Sequence, residues 1–130
     1  MTLAWYFEDE KTEESTAVLH RVVEEGAVIP AHWRLEVLSG FQAAVRRGRI
    51  DRAYRDASLA DLRSLAIAID AGTNRAAWAA TRQLSDRFGL TAYDAAYLEL
   101  ALRRRLSLAT LDGDLIRAAR AENLSLVGGV

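Results

Sequence analysis

The stretch that most constrains what this chain can fold into runs from Leu90 to Leu115 and reads LTAYDAAYLELALRRRLSLATLDGDL. Thr91 followed three residues later by Asp94 has the form of a capping box and predicts a helix start. Tyr93, Ala96, Tyr97, Leu100 and Ala101 recur at helical spacing on one side. Ala95, Leu98 and Leu102 make the opposite side apolar too, interrupted mainly by Glu99, so the helix is expected to be enclosed on most sides. Asp94 then becomes a carboxylate at the mouth of a buried helix. Arg103, Arg104 and Arg105 close that helix, where cations suit the negative end of its dipole. Leu106 to Leu111 alternates too little for a half-exposed strand and predicts a central parallel one. The strand ends in Asp112, Gly113 and Asp114, and open α/β sheets collect their chemistry at the carboxyl ends of strands.

The rest of the chain supplies the layers around this stretch. Leu3, Trp5, Tyr6 and Phe7 run into the acids Glu8, Asp9 and Glu10. Thr12 is placed to cap a helix that faces Ala17, Val18 and Val22 inward and stops at Gly26. Ala27 to Ile29 reads as a short strand stopped by Pro30. A helix from about His32 to Arg47 presents Trp33, Val37, Phe41, Ala44 and Val45 as its inner stripe. A further helix covers Arg52 to Ala57, and Ser58 with Asp61 repeats the capping-box pattern ahead of a separate, shorter one. Ala66 to Ile69 predicts an edge strand, Asp70 to Asn74 a turn, and Arg75 to Phe88 a long helix. Leu115 to Ala121 then forms a helix and Leu124 to Val127 a last strand. Strands alternating with helices mean a parallel sheet flanked by helices, expected here as one domain over residues 1–130.

Composition removes several classes of function. The net charge of −1 gives no global basic field to recruit nucleic acid. The absence of Cys excludes disulfides and thiolate metal sites and fits a reducing, cytoplasmic setting. No apolar run is long enough to span a bilayer, and the first residues lack a signal-peptide layout, so no membrane partner is expected.

LTAYDAAYLELALRRRLSLATLDGDL resembles the C-terminal signature of PIN-domain ribonucleases, in particular the VapC toxins of bacterial toxin–antitoxin pairs: a buried YDAAYL helix followed by an ATLD strand end. The likeness extends through IPAHWRLEVLSGF to the opening LAWYFEDE. It implies a PIN-like three-layer α/β fold and a metal-dependent endoribonuclease that hydrolyses RNA phosphodiester bonds. A cognate VapB-like antitoxin would restrain it, and a homodimer is the common state. The resemblance also implies that Glu36, Asp94 and Asp112 converge as metal-holding catalytic acids, with Thr110 and Asp114 as accessory polar groups. Two carboxylates about 5 Å apart repel by roughly 3 kcal/mol at an effective dielectric near 20, so such a cluster must trap a proton or a cation. Hard oxygen donors, with no Cys and only His20 and His32 available, favour Mg²⁺ or Mn²⁺ over Zn²⁺.

Plainer roles stand beside these. Asp94 has the position of an ordinary capping residue, Asp112-Gly113 is turn chemistry, and Glu36 in a first helical turn favours the dipole unaided. Asp114 reads best as the N-cap of the last helix. Trp5, Trp33 and Trp78 read as core or interface residues rather than base-stacking platforms, and the arginines at 46–49 and 103–105 as helix C-terminal charges first. The chain departs from the family pattern at Ser39, where an Asn often follows the helix Glu. A larger departure is at the opening. PIN domains begin with an apolar strand ending in Asp ahead of the segment that LAWYFEDE resembles, whereas Met1-Thr2-Leu3-Ala4 stands there. The expected fold therefore lacks that N-terminal central strand and its Asp, by a late start site or by true loss. True loss yields the alternative reading, a truncated and catalytically inactive PIN-like module that binds RNA or antitoxin. A phosphatase-like use of Asp112-Gly113-Asp114 is weaker, since the expected flanking phosphate loop is missing.

Overall fold

Side-chain caps at Thr12 and Asp51 mark where two helices of the first half begin. The computed structural model describes residues 1–127, which gather into two compact units: Met1–Val28 with His32–Ala68, and Ile29–Ala31 with the chain from Ile69 onward. In the first unit, two 3-10 turns (Thr2–Trp5 and Glu8–Glu10) lead into helix α1, Glu13–Glu25. The Thr12 hydroxyl accepts from the Ser15 N–H, and the Ser15 hydroxyl accepts from the Thr12 N–H, each at 3.0 Å, so the capping box is complete. Trp5 is buried and donates its indole N–H to the Ser15 carbonyl at 2.8 Å, which seats the opening turn on α1.

At its other end α1 stops on Gly26, with φ of +77°, in the left-handed half of backbone space. A Cβ there would also lie 2.7 Å from the Ala66 carbonyl oxygen, so glycine is required twice over. Helix α2, Trp33–Arg46, buries Val37, Phe41 and Ala44 as its stripe predicts. Phe41 is wholly enclosed, with the rings of Tyr6 and Phe7 at centroid distances of 5.8 and 5.9 Å.

Helix α3 runs unbroken over Arg52–Ser64, capped by the Asp51 carboxylate accepting from the Tyr54 N–H at 2.8 Å. The two-helix expectation is thus corrected. Ser58 lies inside the helix, buried, and donates its hydroxyl to the Tyr54 carbonyl at 2.8 Å, so it needs no cap position to be satisfied.

Strands β1 (Ala27–Ile29) and β2 (Ile67–Ile69) form a two-stranded parallel sheet, each passing from the first unit into the second at its last residue. The expected strand at 106–111 and the last strand at 124–127 reduce to a single parallel bridge between Leu108 and Leu126. The run is apolar in composition, but Leu106 and Leu111 are 39% and 46% exposed and only Leu108 is buried. A strand covered on both faces therefore does not form among the described residues.

The second unit is helical. Helix α4 (Thr73–Ala76), a π-helical turn (Ala77–Thr81) and helix α5 (Arg82–Phe88) make one continuous run in place of the single regular helix predicted from Arg75. Gly89 turns the chain into α6, Ala92–Arg104, and α7 spans Gly113–Ala121. Leu90, Ala95, Leu98, Ala101, Leu108, Leu115, Ala118 and Ala119 form its core, with Leu84, Phe88 and Tyr97 packed against it. Helix α6 is the enclosed element the sequence predicts, although Tyr93 on its first turn is 63% exposed. Trp78 is not a core residue: it is 91% exposed.

Candidate functional site

The three acids expected to act together are distributed over the two units, Glu36 in the first and Asp94 and Asp112 in the second. Glu36 stands in the first turn of α2 and is exposed. His32, one turn back and more enclosed, brings its Nε2 to 3.3 Å from Glu36 Oε1.

Asp94 lies on the first turn of α6, half-buried, and its N–H donates to the Thr91 hydroxyl at 3.1 Å, so the predicted cap of α6 is present. Ala95 and Leu98, which follow it in the helix, are wholly buried.

Asp112 and Asp114 exchange the roles assigned to them in the cap. Asp112, not Asp114, is the N-cap of α7: its Oδ2 accepts from the Leu115 N–H at 2.9 Å. The backbone at Asp112 is extended, as a cap requires, and the helix starts immediately after it at Gly113. Asp114 falls inside the first turn and pairs with Arg117. The Thr110 hydroxyl accepts from the Asp112 N–H at 3.1 Å, fixing the backbone that carries the capping carboxylate.

Among the described residues, no group of three or more His, Asp or Glu side chains is gathered to hold a metal ion. The donor types at Glu36, Asp94 and Asp112 suit a hard divalent cation. An open groove of about 590 Å³ lies instead along Tyr6, Phe7, Arg49, Asp51 and Tyr54, and includes none of these three acids. Its charges are internally engaged: Arg49 pairs with Asp9 and Glu10 and stacks over Phe7, and Asp51 caps α3.

One charged cluster escaped the sequence reading. Asp70, assigned to a turn, is 4% exposed at the end of β2, and Glu99 of α6 is 5% exposed. Arg103 bridges them. Its Nη2 lies 2.5 Å from Asp70 Oδ2 and its Nε 2.8 Å from Glu99 Oε2. Asp70 also accepts from the Gly72 N–H at 3.2 Å and lies 3.4 Å from Arg104 Nη1. The guanidinium covers Gly72 so closely that a Cβ there would fall 2.8 Å from Arg103 Nη1. Hydrogen bonds from Arg103 hold the Asp70 carboxyl below its ordinary range against the opposing effect of burial, and Glu99 and Asp70 together raise the Arg103 pKa. The Glu99–Arg103 spacing of four residues was a legible signal. Asp70 gave none.

The family model for the PIN domain matches residues 2–121 of the chain. The chain belongs to the PIN-domain family. It is similar to Ribonuclease VapC3 of Mycobacterium tuberculosis, strain CDC 1551 / Oshkosh, with 36% identity over 107 residues, 82% of this chain and 75% of the relative. Ribonuclease VapC3 of strain ATCC 25618 / H37Rv matches to the same extent. No solved structure matches it at a significant level. Family membership accounts for the short parallel sheet flanked by helices and for the buried α6 that follows Thr91.

Proposed function

We propose that this PIN-domain chain is a ribonuclease toxin that hydrolyses RNA phosphodiester bonds with Mg²⁺ or Mn²⁺. In this reading a VapB-like antitoxin restrains it, and it works as a cytoplasmic homodimer. The observation that carries the reading is the 36% identity to Ribonuclease VapC3 over 82% of the chain. Glu36, Asp94 and Asp112 are the residues proposed to hold the ion. A bound divalent cation would supply charge neutralisation at the phosphate and a water of lowered pKa. The chain's own contribution is orientation. Thr110 fixes the backbone of Asp112, and the Leu115 N–H fixes its carboxylate through Oδ2. A carboxylate accepts at both oxygens, so the cap does not exhaust Asp112 as a ligand.

The test is cleavage of a single-stranded RNA by purified protein, with Mg²⁺ or Mn²⁺ and with excess chelator, beside calorimetric titration of each metal. Cleavage that requires the metal, and metal binding lost in Asp94→Asn, are the expected results. The alternative is a non-catalytic PIN module that binds RNA or antitoxin. RNA binding with no cleavage under any metal would establish that reading instead.

A further inference from the structure

Trp78 is 91% exposed, the highest exposure of the large apolar side chains among the described residues, and it is the only one of them exposed along residues 73–88. It sits in the π-helical turn Ala77–Thr81, an irregularity that recurs at functional sites. Folding provides no reason for a wide aromatic ring here, since nothing apolar is gained by leaving an indole in water. Its neighbours along the helical run are cations. Arg75 lies three residues before it, on the same face by helical spacing, and is exposed. Arg82 lies four residues after it and folds back, its Nε donating to the Trp78 carbonyl at 3.0 Å, so its guanidinium is held beside the turn that carries the ring. Arg82 Nη1 is 3.9 Å from Asp86, a long and exposed pairing that leaves most of its charge available to solvent.

We infer that Trp78, with Arg75 and Arg82 on either side, is a stacking platform for an unpaired base of a single-stranded RNA. A flat π-face accepts any base, and flanking guanidinium groups meet the phosphates on either side of it. The ring stands between exposed arginines three residues before and four residues after it, the charge pattern of a site for a polyanion. The local excess of Arg also supplies what a chain of net charge −1 lacks overall, a positive strip for a polyanion. The inference rests on the ribonuclease reading and names where that reading's substrate is gripped.

The experiment measures binding of a short fluorescein-labelled single-stranded RNA in excess chelator, by anisotropy, for wild type, Trp78→Ala, Trp78→Phe and Arg82→Gln. Trp78→Ala is expected to weaken binding about 5- to 150-fold, the range found when a stacking ring is removed. Trp78→Phe should keep most of the affinity, and Arg82→Gln should lower it and flatten its salt dependence. RNA should also quench tryptophan emission in wild type more than in Trp78→Phe. With metal present, Trp78→Ala should raise the RNA concentration needed for half-maximal cleavage. Equal affinity of wild type and Trp78→Ala would overturn the inference while leaving the ribonuclease reading intact. A loss of affinity accompanied by a change from dimer to monomer in sedimentation would overturn it too, and would assign Trp78 to self-association. Failure of wild type to bind or cut RNA under any condition would remove both.

Discussion

Arg103 and Asp70 are 33 residues apart in the chain, yet the guanidinium Nη2 of one lies 2.5 Å from the carboxylate Oδ2 of the other. Arg103 is at the C-terminal end of α6 and Asp70 follows the last residue of β2, so one ion pair ties the enclosed helix to the strand end. The arginine faces two buried acids and each acid faces few cations, which makes the pair asymmetric. Arg103→Met leaves Asp70 and Glu99 charged and buried, with only Arg104 at 3.4 Å as a substitute. It is expected to cost about 3 kcal/mol or more. Asp70→Asn leaves a partly exposed arginine that keeps Glu99, and is expected to cost about 1–2 kcal/mol. Urea denaturation of the two variants tests the order.

The same pair sets a pH dependence. The folded pKa of Asp70 lies below the ordinary value of 3.8, so its contribution to stability is complete above about pH 4 and is lost as the pH falls through the folded pKa. Wild type is therefore expected to lose stability below pH 4 more steeply than Asp70→Asn. Thermal melts from about pH 6 down to about pH 2.5 measure the two slopes. Parallel slopes would show that Asp70 is not a group that titrates with unfolding.

These two residues also show what the sequence does and does not disclose. β1 and α6 were legible because periodicity, caps and flanking Gly or Pro all act over a few residues. Asp70 was not, because an acid beside Gly72 and Thr73 has the local chemistry of a turn and its partner lies on another element. The break expected at Ser58 failed for a related reason. A serine can satisfy its hydroxyl on a carbonyl one turn back as readily as on a cap. Asp112 and Asp114 are two residues apart, too close for sequence to say which would cap α7. The identities of the site acids came from likeness to a family and not from spacing, and their convergence remains a proposal.

Gly26→Ala carries two penalties at one position, a left-handed backbone and a 2.7 Å approach to the Ala66 carbonyl. Relief of either moves the end of α1 relative to Ala66, whose carbonyl accepts from the Ala27 N–H at 3.0 Å. A destabilisation of about 2–4 kcal/mol is expected, read by chemical denaturation. Gly48→Ala provides the control, since it has a positive φ but nothing within 4 Å of a Cβ. It should cost only about 1 kcal/mol.

Asp112 allows structural and chemical roles to be separated by substitution. Asn caps a helix about as well as Asp, whereas Ala does not. Asp112→Asn should therefore melt close to wild type, and Asp112→Ala should lose about 1 kcal/mol. If the proposed metal role holds, both variants lose RNA cleavage. An active, normally stable Asp112→Asn would reduce this residue to a cap.

Helix α6 is buried at Ala95, Ala96, Leu98, Leu100 and Ala101 and tethered at its last turn through Arg103. Seen as a clock of local opening, this means that its central amides should be among the slowest in the second unit to exchange with deuterated water, since releasing them requires exposing the core and breaking the tether together. Arg103→Met would then advance exchange along α6 and at Asp70, whose N–H donates to the Ile29 carbonyl at 2.8 Å, before it changed the exposed 3-10 turn at Glu8–Glu10. The two carboxylates that flank one arginine thus set how long the helix bearing Asp94 stays closed.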